Sequence, residues 1–210
     1  MGRWRTLGGE LSALGTLALS LPLGRLLPRE RFDPAAPHPT PVVLVHGFLG
    51  DPSNFLVLRS FLSSHGVRSF ASFSYPPRFD YQRLAPRLGQ MIARVCRETG
   101  SPRVDVVGHS LGGLVARYLV EMGEGSRVGR LVTLGSPYFS ERRPSRELAI
   151  LGAHDPLVPA PDVARGRVVI VEDCGHWNLL YHPAALGAVA RFLVRSGEAA
   201  IGSPAARAAA

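Results

Sequence analysis

Ser110 is the residue whose surroundings most clearly suggest chemistry in this 210-residue chain. It sits in Gly108-His109-Ser110-Leu111-Gly112, a G-x-S-x-G pattern. Val104, Val106 and Val107 precede it as a short apolar strand. Leu114, Val115, Tyr118 and Leu119 follow at helical spacing. The serine therefore falls on a sharp strand-to-helix turn. Such a turn points the hydroxyl out of the sheet, and flanking glycines remove the Cβ atoms that would clash there. The helix N-terminus also favours developing negative charge. A chance Gly-Ser turn could carry the same five letters, so the partners decide. A serine hydroxyl is a weak nucleophile and needs a base. That base is commonly a histidine held in one tautomer by a buried carboxylate.

Both partners are available downstream. Asp155 follows an apolar run, Leu148 to Leu151, through Gly152-Ala153-His154. His176 follows the last apolar run, Val168 to Val171, through Asp173-Cys174-Gly175. Asp162 is the runner-up acid, deeper in a loop. Asp173 lies very near His176 in sequence, and Asp105 lies on the serine's own strand. Among the histidines, His38 falls in a proline-rich stretch, His65 at a helix end and His182 at the start of the last helix. His109 and His154 adjoin the candidates and suit lining or buttressing roles. An oxyanion needs two preset N–H donors. Leu111, next to the serine, supplies one. Phe48, in the His46-Gly47-Phe48 loop after the first strand, supplies the other.

These residues need a frame. Pro41 to His46, Val67 to Phe73, Val104 to Val107, Arg130 to Leu134, Leu148 to Leu151 and Val168 to Val171 read as six strands. Helices are expected through about Ser64, over Tyr81 to Glu98, after Ser110, and over Pro183 to Val194. Alternation of this kind makes an α/β fold with a mostly parallel sheet and helices on both faces. Ligands bind such sheets at the carboxyl ends of the strands. His46, Ser110, Asp155 and His176 all fall just after strands, so one sheet edge gathers them. No internal repeat and no G-x-G-x-x-G dinucleotide fingerprint is present.

Composition narrows the partners. The net charge is +8 with 24 basic residues, all arginine. They are scattered, with no basic run of the nucleic-acid type, which argues against a nucleic-acid partner. Cys96 and Cys174 do not make a disulfide framework and read as two free, largely buried thiols, a single bridge being the alternative in an exported protein.

Four segments are expected: an N-terminal apolar helix or signal or anchor over 1–27, a proline-rich connector over 28–40, a catalytic domain over 41–195 and an alanine-rich tail over 196–210. In the first, Arg3 and Arg5 precede an uncharged run from Leu11 to Gly24. Its length, about 14 residues, falls short of the roughly 20 that a spanning helix needs. It suits a signal sequence with a poor cleavage site at Ala18-Leu19-Ser20, a helix lying on a membrane or on the catalytic domain, or an ordinary extension. Membrane association through residues 3–24 is the preferred reading, and export is the alternative localisation.

Residues 41–195, about three-quarters of the chain, resemble the α/β-hydrolase superfamily, most closely its small, nearly lidless bacterial lipases and esterases. The likeness rests on PVVLVHGFLG, VDVVGHSLGGLVARY, VTLGSP, AHDPLVP and GHWNLLYHP, in matching order. It implies a minimal α/β-hydrolase with Ser110 as nucleophile, Asp155 as acid, His176 as base, and the Phe48 and Leu111 amides as oxyanion hole. It implies carboxylic-ester hydrolysis through an acyl-enzyme, on a small-molecule or lipid ester, with no metal or organic cofactor. An acyltransferase or perhydrolase on the same triad, and a non-catalytic binding protein of the same fold, are the alternatives. The expected site wall is Phe48, Leu49, Phe79, Tyr138, Phe139, Leu157, Val158 and Trp177. Tyr138-Phe139-Ser140 and an arginine-rich stretch follow VTLGSP where many lipases carry glycine or threonine. The short connection there leaves no room for a cap domain, and the Tyr75 to Tyr81 loop remains as a small flap.

Overall fold

The apolar runs of the sequence become neighbouring strands of one sheet. The computed structural model describes residues 6–16, 30–77, 79–142, 144–160, 166–194 and 207–208. Its elements are α1 (residues 6–16), β1 (Glu30–Arg31), β2 (Val42–Val45), α2 (Leu56–Ser64), β3 (Phe70–Phe73), α3 (Tyr81–Thr99), β4 (Val104–His109), α4 (Leu111–Glu121), β5 (Val128–Leu134), β6 (Glu147–Gly152), β7 (Arg167–Val171), α5 (Pro183–Val194) and β8 (Arg207–Ala208). The sheet order is β1-β3-β2-β4-β5-β6-β7-β8. Every pairing is parallel except β1 with β3.

Strand periodicity assigns the side chains to two cores. Val42 and Leu44 of β2 face a layer built with Leu58 and Leu62 of α2 and Ala185, Val189 and Leu193 of α5. Val43 and Val45 face the other way, onto Leu84, Leu88 and Ile92 of α3 and Val115 and Leu119 of α4. β2 and β4 are buried along their whole lengths. That double burial is why they read as continuous apolar runs rather than alternating ones.

The six expected strands are β2 to β7. The structure adds a two-residue strand at each edge, and both fall where no strand was expected. Within the proline-rich stretch, residues 30–40 are docked rather than a free connector. Glu30 pairs with Ala71, and its carboxylate is bound by Arg94 of α3. The hydrogen bond from Arg94 holds the Glu30 carboxyl below its ordinary pKa. The His38 N–H donates to the Gly66 carbonyl at 3.1 Å, and its Nε2 lies 3.2 Å from Asp105 Oδ2 in a buried pair. The sheet thus reaches back to Glu30. At the other end β8 draws residues 207–208 of the alanine-rich tail against β7. The expected cleavage site and the rest of the apolar stretch past Thr16 lie outside the described residues. Among the described residues no helix is long and apolar enough to cross a membrane. Cys96 and Cys174 are both free and buried.

One buried charge network has no counterpart in the sequence reading. Arg117 of α4 is fully buried. Its Nε and Nη2 donate to Glu147 of β6 at 3.0 and 2.6 Å. Nη2 also meets Thr133 Oγ1 of β5 at 3.0 Å, and Nη1 donates to the Pro137 carbonyl. The Thr133 hydroxyl donates to Glu147 at 2.7 Å, and the Tyr138 ring stacks 3.9 Å from the guanidinium carbon. With a longer bond from Nη1 to the Ser136 carbonyl at 3.4 Å, all five N–H donors are occupied, which is what a buried guanidinium requires. The network joins the helix after Ser110 to the next two strands. Removing one partner leaves an uncompensated buried charge, at a cost of about 3–5 kcal/mol, whereas replacing both with apolar residues can be close to neutral. In urea unfolding, Glu147→Ala should therefore lose stability on that scale, and Arg117→Met/Glu147→Leu should lose less than either single substitution. A double variant as unstable as the sum of the singles contradicts this account.

Candidate active site

Ser110 occupies the junction of β4 and α4 with φ 52° and ψ −123°. A non-glycine residue there carries strain of about 1–3 kcal/mol and persists only when its surroundings over-determine it. They do so here. The Ser110 N–H donates to the Leu134 carbonyl of β5 at 2.8 Å. A Cβ at Gly112 would lie 2.1 Å from the Val45 carbonyl oxygen. Only glycine lets the first turn of α4 press onto the end of β2. Leu111 opens α4, so its N–H has no intrahelical acceptor and is free to serve an oxyanion.

Asp155 and His176 come together from the ends of β6 and β7. His176 Nδ1 donates to Asp155 Oδ2 at 2.7 Å, with both side chains buried. The other carboxylate oxygen accepts the Leu157 and Val158 N–H groups, each at 2.8 Å. Three bonds fix the plane of the carboxylate. Donation from Nδ1 leaves Nε2 as the ring nitrogen that can accept a proton. Gly135, at φ 54°, makes room for the pair: a Cβ there would lie 3.1 Å from Asp155 Oδ2 and 3.2 Å from His176 Nδ1. Asp105 is committed to His38 and to the Arg130 backbone, and Asp162 lies outside the described residues.

His109 supports the histidine from a second side. Its Nε2–H donates to the His176 carbonyl at 3.1 Å, and the two rings lie 4.8 Å apart. Burial, reinforced by the neighbouring His176, pushes the His109 pKa down to about 3. His109 is therefore a neutral, fixed donor at ordinary pH. On the β2 loop, the Tyr75 hydroxyl donates to the His46 carbonyl at 2.5 Å, with the two rings stacked.

Ser110, Leu111 and His176 line a cleft of about 630 Å³ together with Phe48, Leu49, Phe79, Leu157, Val158 and Trp177. Phe48 and Phe79 stack at 4.0 Å, so the loop before α3 does cover one side of the serine. Two expected wall residues are not there. Tyr138 covers Arg117, and Phe139 packs on Tyr81 and Tyr118. The buried guanidinium draws that segment away from the mouth. Asn54, Leu114 and Pro137 line the cleft instead. Leu114 had been legible only as a helix-face residue, and Asn54 had no signal beyond its place after the Phe48 loop. A second cleft of about 640 Å³ lies at the amino ends of the strands, lined by Arg103, Arg130, Arg146 and Arg167. It is remote from Ser110, so volume alone does not distinguish the two. Among the described residues no group of three or more His, Cys, Asp or Glu side chains is arranged to hold a metal ion.

Comparisons with known proteins bear on the fold and the family. A model of the palmitoyl protein thioesterase family matches residues 41–145. A triacylglycerol lipase of Pseudarthrobacter phenanthrenivorans is 32% identical over 111 residues, 47% of this chain and 33% of the lipase. The chain thus spans about a third of that relative's length. Among solved structures, a CIB-like hydrolase of Thermoplasma acidophilum aligns with a TM-score of 0.59 at 16% identity, over 79% of this chain and 90% of that one. The α/β hydrolase MGS-MChE2, from a lagoon-sediment metagenome, aligns with a TM-score of 0.53 at 18% identity, over 71% and 88%. These two show the fold alone. The sheet is that of an α/β hydrolase fold, and by the match over residues 41–145 the chain belongs to the palmitoyl protein thioesterase family.

Proposed function

We propose that the protein hydrolyses esters or thioesters of apolar acyl groups, with Ser110 as nucleophile, His176 as base and Asp155 as its orienting acid. The observation that carries this reading is the 2.7 Å Asp155–His176 hydrogen bond in a cleft shared with a serine on a strained turn. His176 Nε2 takes the Ser110 hydroxyl proton as the oxygen attacks the acyl carbonyl. The Phe48 and Leu111 N–H groups receive the oxyanion. The intermediate collapses, the alcohol or thiol leaves with the proton from His176, and an acyl group remains on Ser110. Water, deprotonated by His176, repeats the attack and releases the acid.

The wall supports an apolar acyl part: Leu49, Phe79 and Leu157 surround the serine with hydrocarbon. The lipase name of the relative and the thioesterase description of the family both point to acyl chains, and they differ only in the leaving group. Leu49 and Phe79 are 73% and 68% exposed. So open a rim favours water as the second acceptor over an alcohol or peroxide.

The direct test uses p-nitrophenyl esters and acyl-coenzyme A thioesters of increasing chain length. The wild type should prefer longer acyl chains, and Ser110→Ala should lose at least about a thousandfold in kcat with folding intact. Full turnover by that variant ends the proposal. The pH profile offers a second test. Because burial lowers the His109 pKa, that ring is already neutral above about pH 3, and lowering the pH through the ordinary histidine range does not charge it. The acid limb of the activity profile should therefore contain no proton from His109. His109 ring resonances that titrate along this limb contradict the assignment.

A further inference from the structure

We infer that Glu10, on the N-terminal helix α1, is a positioning residue for His176: its carboxylate caps the backbone that carries the catalytic histidine. The inference rests on the triad reading above. Glu10 Oε2 accepts the Trp177 N–H at 3.1 Å, and Oε1 accepts the Asn178 N–H at 2.9 Å. These are the orphan donors at the start of the short 3-10 turn Asn178–Leu180, which has no cap from its own side chains. A carboxylate bridging two N–H groups makes a pair of charge-assisted bonds. Here it comes from a residue 168 positions away.

The contact is close-fitting and reaches both loops of the triad. A Cβ on Gly175 would lie 2.6 Å from Glu10 Cδ, so the residue before His176 must be glycine for the cap to seat. Gly9 fits the same way: a Cβ there would lie 2.6 Å from Asn178 Nδ2. On the acid side, Thr6 Oγ1 lies 3.3 Å from His154 Nδ1. The N–H of His154, next to Asp155, donates to the Cys174 carbonyl at 3.0 Å. Burial, then Glu10 and Asp155, push the Cys174 thiol up to about 12, as expected with the Glu10 charge close to this loop. His176 is thereby held by Asp155 at its ring, by His109 at its carbonyl and by Glu10 at the next two amides. The helix read from sequence as a membrane-associating segment is in this role a brace for the catalytic loop.

The test compares wild type, Glu10→Ala and Glu10→Gln in the full-length protein by steady-state ester hydrolysis and by amide hydrogen exchange of Trp177 and Asn178. The inference expects Glu10→Ala to lower kcat about tenfold with KM within about twofold, because a small misplacement of a catalytic group acts on the chemical step. Both amides should exchange faster. Glu10→Gln, which keeps one acceptor oxygen, should recover part of each effect, and it carries the same test if Glu10→Ala does not fold. Unchanged kcat, or a fall in kcat without faster exchange at these two amides, overturns the inference. If the wild type turns over no ester or thioester, the proposed function fails instead. The clamp is then read from exchange and from the His176 imidazole resonances, and unchanged exchange and resonances refute it.

Discussion

The backbone at Ser110 is the constraint on which the rest depends. A serine at φ 52° is unstable in isolation and must be held there. The hold comes from three directions: β5 accepts its N–H, β2 receives the first turn of α4 against Gly112, and the buried Arg117–Glu147 pair joins α4 to β5 and β6. β2 and β5 are in turn buried on both faces by helices, and β6 turns its second face to Tyr138 and Val158. The parallel sheet thus serves as a rigid jig. It fixes a strained residue whose side chain and following N–H both open onto the same cleft.

The histidine is constrained differently. His176 sits in a loop, where backbone is ordinarily less well fixed, and it receives its rigidity through hydrogen bonds rather than through regular structure. Asp155 accepts from its ring, and the carboxylate is itself pinned by two backbone amides. His109 donates to its carbonyl from the position next to Ser110, so Ser110 and His176 share a support. Glu10 completes the arrangement from the N-terminal helix. Sheet rigidity thus holds Ser110, and polar contacts hold His176.

Much of this frame is legible in the sequence because it is local. The strand-turn-helix around Ser110, the six strands and the placement of Asp155 and His176 after strands follow from apolar periodicity and from glycine and proline punctuation. What is not legible is long-range. Nothing near Arg117 announces Glu147, so Tyr138 and Phe139 read as site wall when the buried guanidinium takes Tyr138 and the aromatic cluster of Tyr81 and Tyr118 takes Phe139. The prolines before residue 40 resemble a connector because two-residue pairing at β1 and the single contact of His38 with Asp105 leave no periodic pattern. In the sequence Glu10 merely stands at the edge of the uncharged run that begins at Leu11. Its carboxylate acquires a purpose only when the His176 loop arrives beside it.

The central claim is that the strained serine is the nucleophile. Reaction of the native protein with a fluorophosphonate, followed by peptide mass spectrometry, tests it most directly, since only a serine activated by its base is phosphonylated rapidly. The account predicts one stoichiometric adduct on the peptide that contains Ser110, abolished by Ser110→Ala. No adduct on the folded protein, or an adduct on another residue with Ser110 unmodified, contradicts it.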